Sequence, residues 1–328
     1  MRIAVTGSIA TDHLMIFPGR FVDQLIPDQL ARVSLSFLVD GLEVRRGGVA
    51  ANIAFGLGRL GLTPLLIGAA GTDFAEYEVW LKEHGVDTSA VRISTERATA
   101  RFLCITDEDA NQIAAFYTGA MAEAGEIDLG DVFGSDGSRP DLVLIAPDDP
   151  EAMVRHTEQC RDLGLPFAAD PSQQLARLDG AQTRQLADGA RWLFTNEYES
   201  SLLLERSGWS RDEVLARVGT WITTLGSAGV RIEQADRPPV TVDAVPDVRV
   251  ADPTGVGDAF RAGFFAGLAQ GLPVTAAARL GCVVASTALA AVGSQSHHAD
   301  GGTLLATAAH AYGQAASDEI APALAGVR

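Results

Sequence analysis

The sequence predicts an α/β protein, a mostly parallel central sheet covered by helices on both faces, with a small β-sheet lid. Short β-branched and aliphatic runs alternate with helical patterns along most of the chain, and such alternation implies parallel strands joined by crossover helices. Beyond residue 250 only helical patterns remain. Two strand-like segments, 33–39 and 100–117, have no helical partners and so fall outside the main sheet.

The strands expected in the main sheet are 2–6, 64–68, 142–146, 166–170, 192–195, 220–225, 230–234 and 240–244. Helical patterns lie near 49–60, 73–84, 150–163, 182–189, 197–206 and 211–218, then at 256–270, 274–291 and 302–318. The pair 230–234 and 240–244, separated by "ADRPP", reads as a hairpin added to the sheet. Segment 100–117 is a second hairpin with a polar turn at 107–111. By the period of two, Phe102 and Cys104 share a face of its first arm, and Ala114 and Phe116 share a face of the second. No repeat or linker divides the chain, so residues 1–328 read as one domain with lid strands inserted at about 13–45 and 98–118.

Composition narrows the function. The 328 residues are 47% hydrophobic and carry a formal net charge of -17. That balance argues against nucleic acid or anionic membrane as a partner, since both attract clustered Lys and Arg. Lys82 is the only lysine, which excludes a phosphate-binding loop ending in Gly-Lys. Cys104, Cys160 and Cys282 are widely spaced and odd in number, as expected of free, buried thiols in a reducing cytoplasm. The longest late apolar run, "GCVVASTALAAVG", is too short to cross a bilayer. A cytoplasmic location is the expectation. No Ser–His–Asp order, HExxH or Cys/His ligand cluster occurs, and His297 and His298 read as solvated.

Candidate chemistry gathers at strand ends. In "ADPTGVGDAFRAGF" (251–264), Gly255 and Gly257 expose the amides of a helix start to an anion. Asp258 follows in the first turn. It either stabilises the helix dipole or serves as a base for a hydroxyl attacking a phosphoryl group. The second role explains a carboxylate placed beside an anion site. In "RRGGVAANIAFGLGRLG" (45–61), Gly47 and Gly48 permit a tight turn, and Asn52 offers a donor and an acceptor to sugar hydroxyls, or the string is simply a Gly-rich helix start. Ser8 and Asp12 sit where the first strand ends, a place for ligands or for a capped turn. Asn196 and Glu199 can orient Mg²⁺ through its waters, or form a capping box. Thr224, Gly226 and Gly229 lie in a turn that nucleotide phosphates can approach. Gln173 and Gln174 can read a base edge or lie in an exposed loop, and Arg177 beside them can meet phosphate.

Two separated strings then resemble signatures of the ribokinase-like (PfkB) family of carbohydrate and nucleoside kinases. "GGVAANIA" (47–54), Gly61 and "GTD" (71–73) match the N-terminal one, and "DPTGVGDAFRAGF" (252–264) the C-terminal one. Val256 departs from the small residue usual there. Within the family, "VTGSIATDHLM", residues 32–40 and "AADPSQQLARL" look like the actinobacterial adenosine kinases.

The resemblance implies a ribokinase-like three-layer fold and transfer of the ATP γ-phosphoryl group to the 5′-hydroxyl of adenosine, giving AMP. Asp258 would be the base and the amides of Gly255, Val256 and Gly257 the anion hole. Ser8, Asp12, Gly48 and Asn52 would line the ribose, Phe102 and Phe116 would sandwich the adenine, and Gln173 and Gln174 would contact the nucleoside. Ser36 would reach a partner subunit through a lid-to-lid homodimer. Asn196, Thr224, Gly226 and Gly229 would bind ATP. Mg²⁺ would lie near Glu199, through water, and a monovalent cation such as K⁺ near loops 250–252 and 291–295. The rival reading within this fold is a ribokinase, a fructokinase or a kinase for another purine nucleoside. A catalytically dead binding protein is disfavoured because Asp258 and both glycines remain. A dinucleotide-binding dehydrogenase is disfavoured because the Gly-x-Gly lacks a third glycine and a following βαβ unit.

Overall fold

A computed structural model of the chain describes residues 1–25, 34–134, 139–298 and 300–327. The main sheet begins with β1 (Ile3–Thr6) and continues, after an excursion, through β4 (Leu65–Gly71) and β5 (Asp87–Ser94). It is extended by β8 (Leu142–Ile145), β9 (Phe167–Ala169), β10 (Trp192–Asn196) and β11 (Thr220–Thr224). The hairpin β12 (Val230–Glu233) and β13 (Val240–Val242) closes one edge. The strand order is β13-β12-β11-β10-β9-β8-β1-β4-β5. Pairing is parallel from β5 to β11 and antiparallel across β11, β12 and β13.

Alternation along each strand sends side chains into two cores. Ile3, Val5, Leu144 and Phe194 pack with helices α2 (Val49–Arg59), α9 (Val256–Ala269) and α10 (Val274–Leu289). Ala4, Val143, Ile145 and Trp221 face the other way, against α5 (Pro150–Asp162), α6 (Gly180–Ala187) and α7 (Glu197–Ser207). The expected helix 302–318 is broken at Gly313, whose φ of +85° ends one helix at Tyr312 and starts another at Gln314. Among the described residues no helix is long and apolar enough to cross a membrane. The three cysteines are buried and free.

The lid is a sheet of its own, ordered β3-β2-β6-β7. Its strands are β2 (Ala10–Ile16), β3 (Gly41–Gly47), β6 (Ala100–Thr106) and β7 (Gln112–Tyr117). The hairpin at 100–117 matches expectation, while the first lid segment needs correction. Residues 34–39 are not a strand, and Val33 lies outside the described residues. Phe37 instead packs edge-on against Phe17 and Phe21, each at 5.1 Å. The ladder starts at Gly41, in a stretch whose charges hide its alternation. Asp12 also moves. It does not end the first strand but lies inside β2, because the chain turns at Gly7 (φ +149°), where a Cβ would stand 3.0 Å from those of Ala50 and Ala146.

Register makes the lid two-faced. Arg45, Asp12, Phe102 and Phe116 form one cross-strand row, so their side chains share a face. On the opposite face run two apolar rows, Leu42–Met15–Ile105–Ile113 and Val44–His13–Leu103–Ala115.

Candidate active site

The C-terminal ends of the parallel strands meet the lid and the start of α9, the place where open α/β sheets bind ligands. Gly255 caps α9 with φ +75°, and a Cβ there would lie 2.6 Å from the Cβ of Ser294. Only glycine fits, and the amides of Val256, Gly257 and Asp258 start the helix without partners one turn earlier inside it. The amides expected to hold an anion, those of Gly255, Val256 and Gly257, thus lie at the cap and first turn of α9.

The Asp258 carboxylate turns toward α2, where Oδ2 accepts a hydrogen bond from Asn52 Nδ2 at 2.8 Å. Burial pushes its pKa up to about 6, against the pull of the Asn52 bond and of Arg261. Asp12 is also raised to about 6 by burial, which Arg45 opposes. The charge of Asp12 adds to the rise at Asp258, and a carboxylate held near 6 is suited to act as a base at physiological pH.

Gly48 precedes α2 with φ +92°, and a Cβ there would stand 2.6 Å from Ser8 O and from Ala10 N. Ser8 Oγ accepts from Val49 N at 3.0 Å, so this side chain caps the first turn of α2. Asn52 is engaged more fully than a sugar ligand alone needs. Its Oδ1 accepts from Ser294 Oγ at 3.0 Å and from Gln295 Nε2 at 2.9 Å.

Beside the anion site lies an apolar cavity of about 180 Å³. Thr224, Gly226 and Gly229 line it together with Val256, Gly257 and Phe260. Val256, the departure from the family signature, therefore contributes cavity wall while its amide keeps its place. Gly229 (φ +88°) is required because a Cβ would approach Val242 O to 2.1 Å.

Asn196 and Glu199 form the reciprocal capping box of α7, with both bonds at 2.8 Å. Glu199 Oε1 accepts further from Ser172 Oγ at 3.3 Å, and burial raises its pKa. No cluster of three metal-ligating side chains occurs among the described residues. A single buried carboxylate whose oxygens accept from Asn196 N and Ser172 Oγ fits a magnesium ion met through water and held chiefly by phosphates. Gln173 is exposed, whereas Gln174 Oε1 is buried without a partner among the described residues. Ser36 is exposed, and Phe116 is 48% exposed.

Several site features were not foreseen from sequence. Arg261, one turn after Asp258, makes a two-pronged ion pair with Asp170 at 2.5 and 2.7 Å and donates to Gly257 O at 3.1 Å. Both partners are almost completely buried. Asp170 was passed over within "ADPSQQ" because its partner lies 91 residues away. Asp148 is buried with Oδ2 unpartnered among the described residues, and burial lifts its pKa to about 8. His297, read as solvated, is buried edge-on against Phe55 at 5.8 Å. The loop carrying it folds back over α2.

Asp258 in the first turn of α9, the adjoining cavity and the lid face carrying Asp12 thus lie at one end of the sheet. The chain belongs to the pfkB family of carbohydrate kinases, whose model matches residues 6–300. It is 30% identical to a nucleoside kinase of Methanocaldococcus jannaschii over 253 residues, 76% of this chain and 81% of that protein. It is 27% identical to the ribokinase of Bacillus subtilis over 256 residues, 76% of this chain and 83% of that one. Among solved structures it is similar to the nucleoside kinase of Burkholderia thailandensis in complex with inosine. That similarity has a TM-score of 0.82 at 35% identity, covering 95% of this chain and 98% of the other. The three-layer ribokinase fold with its lid sheet is thereby confirmed.

Proposed function

We propose that this kinase transfers the γ-phosphoryl group of ATP to the 5′-hydroxyl of a purine nucleoside, with adenosine as the substrate its residues fit best. The observation that carries this reading is the cross-strand row Asp12–Phe102–Phe116. It sets a carboxylate for ribose hydroxyls beside two aromatic faces for a base. A sugar alone needs no such aromatic surface. The nucleoside kinases among the similar proteins, one of them in complex with inosine, support a nucleoside acceptor.

In this reading Asp258 takes the proton of the attacking 5′-hydroxyl, and the amides of Gly255, Val256 and Gly257 receive the transferred phosphoryl group. Asp12, Gly48 and Asn52 hold the ribose, with Ser8 fixing the turn at Gly48. Phe102 and Phe116 are cross-strand partners on one lid face, so they offer the base one aromatic surface and do not sandwich it between them, with Gln173 and Gln174 near the base edge. Thr224, Gly226 and Gly229 line the ATP cavity. Asn196 and Glu199 orient the waters of a magnesium ion, which neutralises phosphate charge when bound. The loops proposed for K⁺ adjoin one another, since Gly293 N donates to Asp252 Oδ2 at 2.9 Å. Lid closure excludes water and spares ATP from hydrolysis.

A coupled assay with adenosine, inosine, guanosine, ribose and fructose tests the acceptor. Purine nucleosides should be turned over far better than free sugars, and turnover of sugars alone would refute the reading. Phe102→Ala should raise KM for nucleosides by about tenfold, the worth of a lost aromatic contact, and leave any ribose turnover unchanged. The second reading, a ribokinase-type sugar kinase, draws on the similarity to the Bacillus subtilis enzyme.

A homodimer through the lid, with Ser36 reaching the partner, belongs to the same proposal. Its support is the apolar outer face, where Leu42 is 62% and Val44 55% exposed. Light scattering should give about twice the chain mass, and a monomer at assay concentration would remove this element.

A further inference from the structure

We propose that Gln295 is a positioning residue for the catalytic base, because it fixes which end of the Asn52 carboxamide faces Asp258. The inference rests on reading Asp258 as the base and adds how that base is held.

A carboxamide is ambiguous by itself, since its oxygen and nitrogen can exchange places. Here the ambiguity is removed from the far end of a chain of bonds. The indole of Trp80, on the helix Ala75–Glu83, can only donate. It meets Gln295 Oε1 at 3.1 Å, so Gln295 must present its NH₂ group on the other side. That group donates to Asn52 Oδ1 at 2.9 Å and to the hydroxyl of Tyr77. Tyr77 passes its own proton to Gly47 O at 2.9 Å and is therefore free to accept. Ser294 Oγ lies 3.0 Å from Asn52 Oδ1 and 3.2 Å from Arg46 O, and its single proton serves one or the other. With the Gln295 donor on its oxygen, Asn52 turns Nδ2 to Asp258, which it meets at 2.8 Å.

The line thus runs one way, from an obligatory donor at Trp80 to an acceptor-only carboxylate at Asp258. Reversing Asn52 would place its oxygen against the carboxylate and its NH₂ against that of Gln295. Asn52 and Gln295 are buried, so neither clash is relieved by water. The polarity favours the ionised base and aims it. One N–H of Asn52 remains for the cleft, so its duty toward Asp258 coexists with a single bond to ribose.

The charged groups that act on Asp258 are Arg261 on its own helix, Asp170 beyond β9 and Asp12 in β2. Gln295→Met alters none of them and keeps the volume of the side chain. It removes the donor to Asn52 and lets the carboxamide turn.

The test is an infrared titration of the Asp258 carboxyl in the full chain, identified by difference against Asp258→Asn, together with kcat and KM across pH. In Gln295→Met the carboxyl should ionise at a pH higher by about one unit, the size expected when a hydrogen bond to the charged form is lost, so kcat should fall about threefold at pH 6.5 and recover at high pH. KM for nucleoside should change by less than about twofold, because the substituted side chain touches no substrate. Trp80→Phe, which leaves Gln295 in place but frees its orientation, should shift the same midpoint in the same direction. An unmoved midpoint in both variants overturns the proposal. So does a kcat loss equal at every pH, which is what general loosening would produce. If the wild-type chain phosphorylates no nucleoside, the reading of the reaction fails, while the infrared midpoint still judges the role of Gln295.

Discussion

Asp258→Asn should lower kcat by about two to four orders of magnitude, the span of a positioned general base, while nucleoside and ATP still bind. Asparagine keeps the shape of the first turn of α9 and leaves the amides of Gly255, Val256 and Gly257 in place. Only proton acceptance is lost, so the residual rate measures anion binding and alignment alone. The same carboxyl sets the acid limb of the wild-type profile. Its pKa stands at about 6, the ionised form is the active one, and kcat should therefore rise with pH through that region. Asp12 is raised into the same range, so the limb of kcat/KM should be steeper than a single ionisation. Steady-state kinetics from pH 5 to 9, with calorimetry of nucleoside binding to the variant, checks each part. An unchanged kcat in Asp258→Asn would remove the base assignment.

The second large effect falls on stability. Arg261→Met should destabilise the fold by about 3–5 kcal/mol, the cost of leaving a buried charge unpaired. Asp170 is 2% exposed and receives both prongs of the guanidinium. The same substitution frees Gly257 O and loosens the turn that carries the anion site. Replacing both partners, Asp170→Leu with Arg261→Met, should recover most of the loss, because two apolar residues leave no orphaned charge. Urea midpoints of the wild type and both variants provide the comparison. A double variant as unstable as the single one would show that the ion pair itself, rather than the stranded carboxylate, carries the effect.

Legibility followed the range of each interaction. The start of α9 could be read because Gly255, Gly257, Asp258 and the apolar pattern after them lie within one short string. The hairpin 100–117 could be read because β6 and β7 alternate and share a turn. Strand β3 could not, since Glu43, Arg45 and Arg46 break the apolar alternation, and a strand exposed over its middle tolerates them. Strand β5 was missed for a related reason. It is an edge strand with Asp87, Ser89 and Arg92 along it, polar enough to pass for a loop. At the site, Asp170 with Arg261, and Asn52 with Gln295, are pairs separated by 91 and 243 residues. Nothing local distinguishes such residues from ordinary polar loop positions. Val256 became intelligible only as part of the cavity wall.

Phosphorus NMR of the product reads which hydroxyl receives the phosphoryl group. With adenosine, ATP and magnesium, the chain should form ADP and a new phosphomonoester whose signal is split by the two H5′ protons, as a nucleoside 5′-monophosphate requires. Absence of any monoester from adenosine, inosine and guanosine, with ribose phosphorylated under the same conditions, would make the protein a sugar kinase instead.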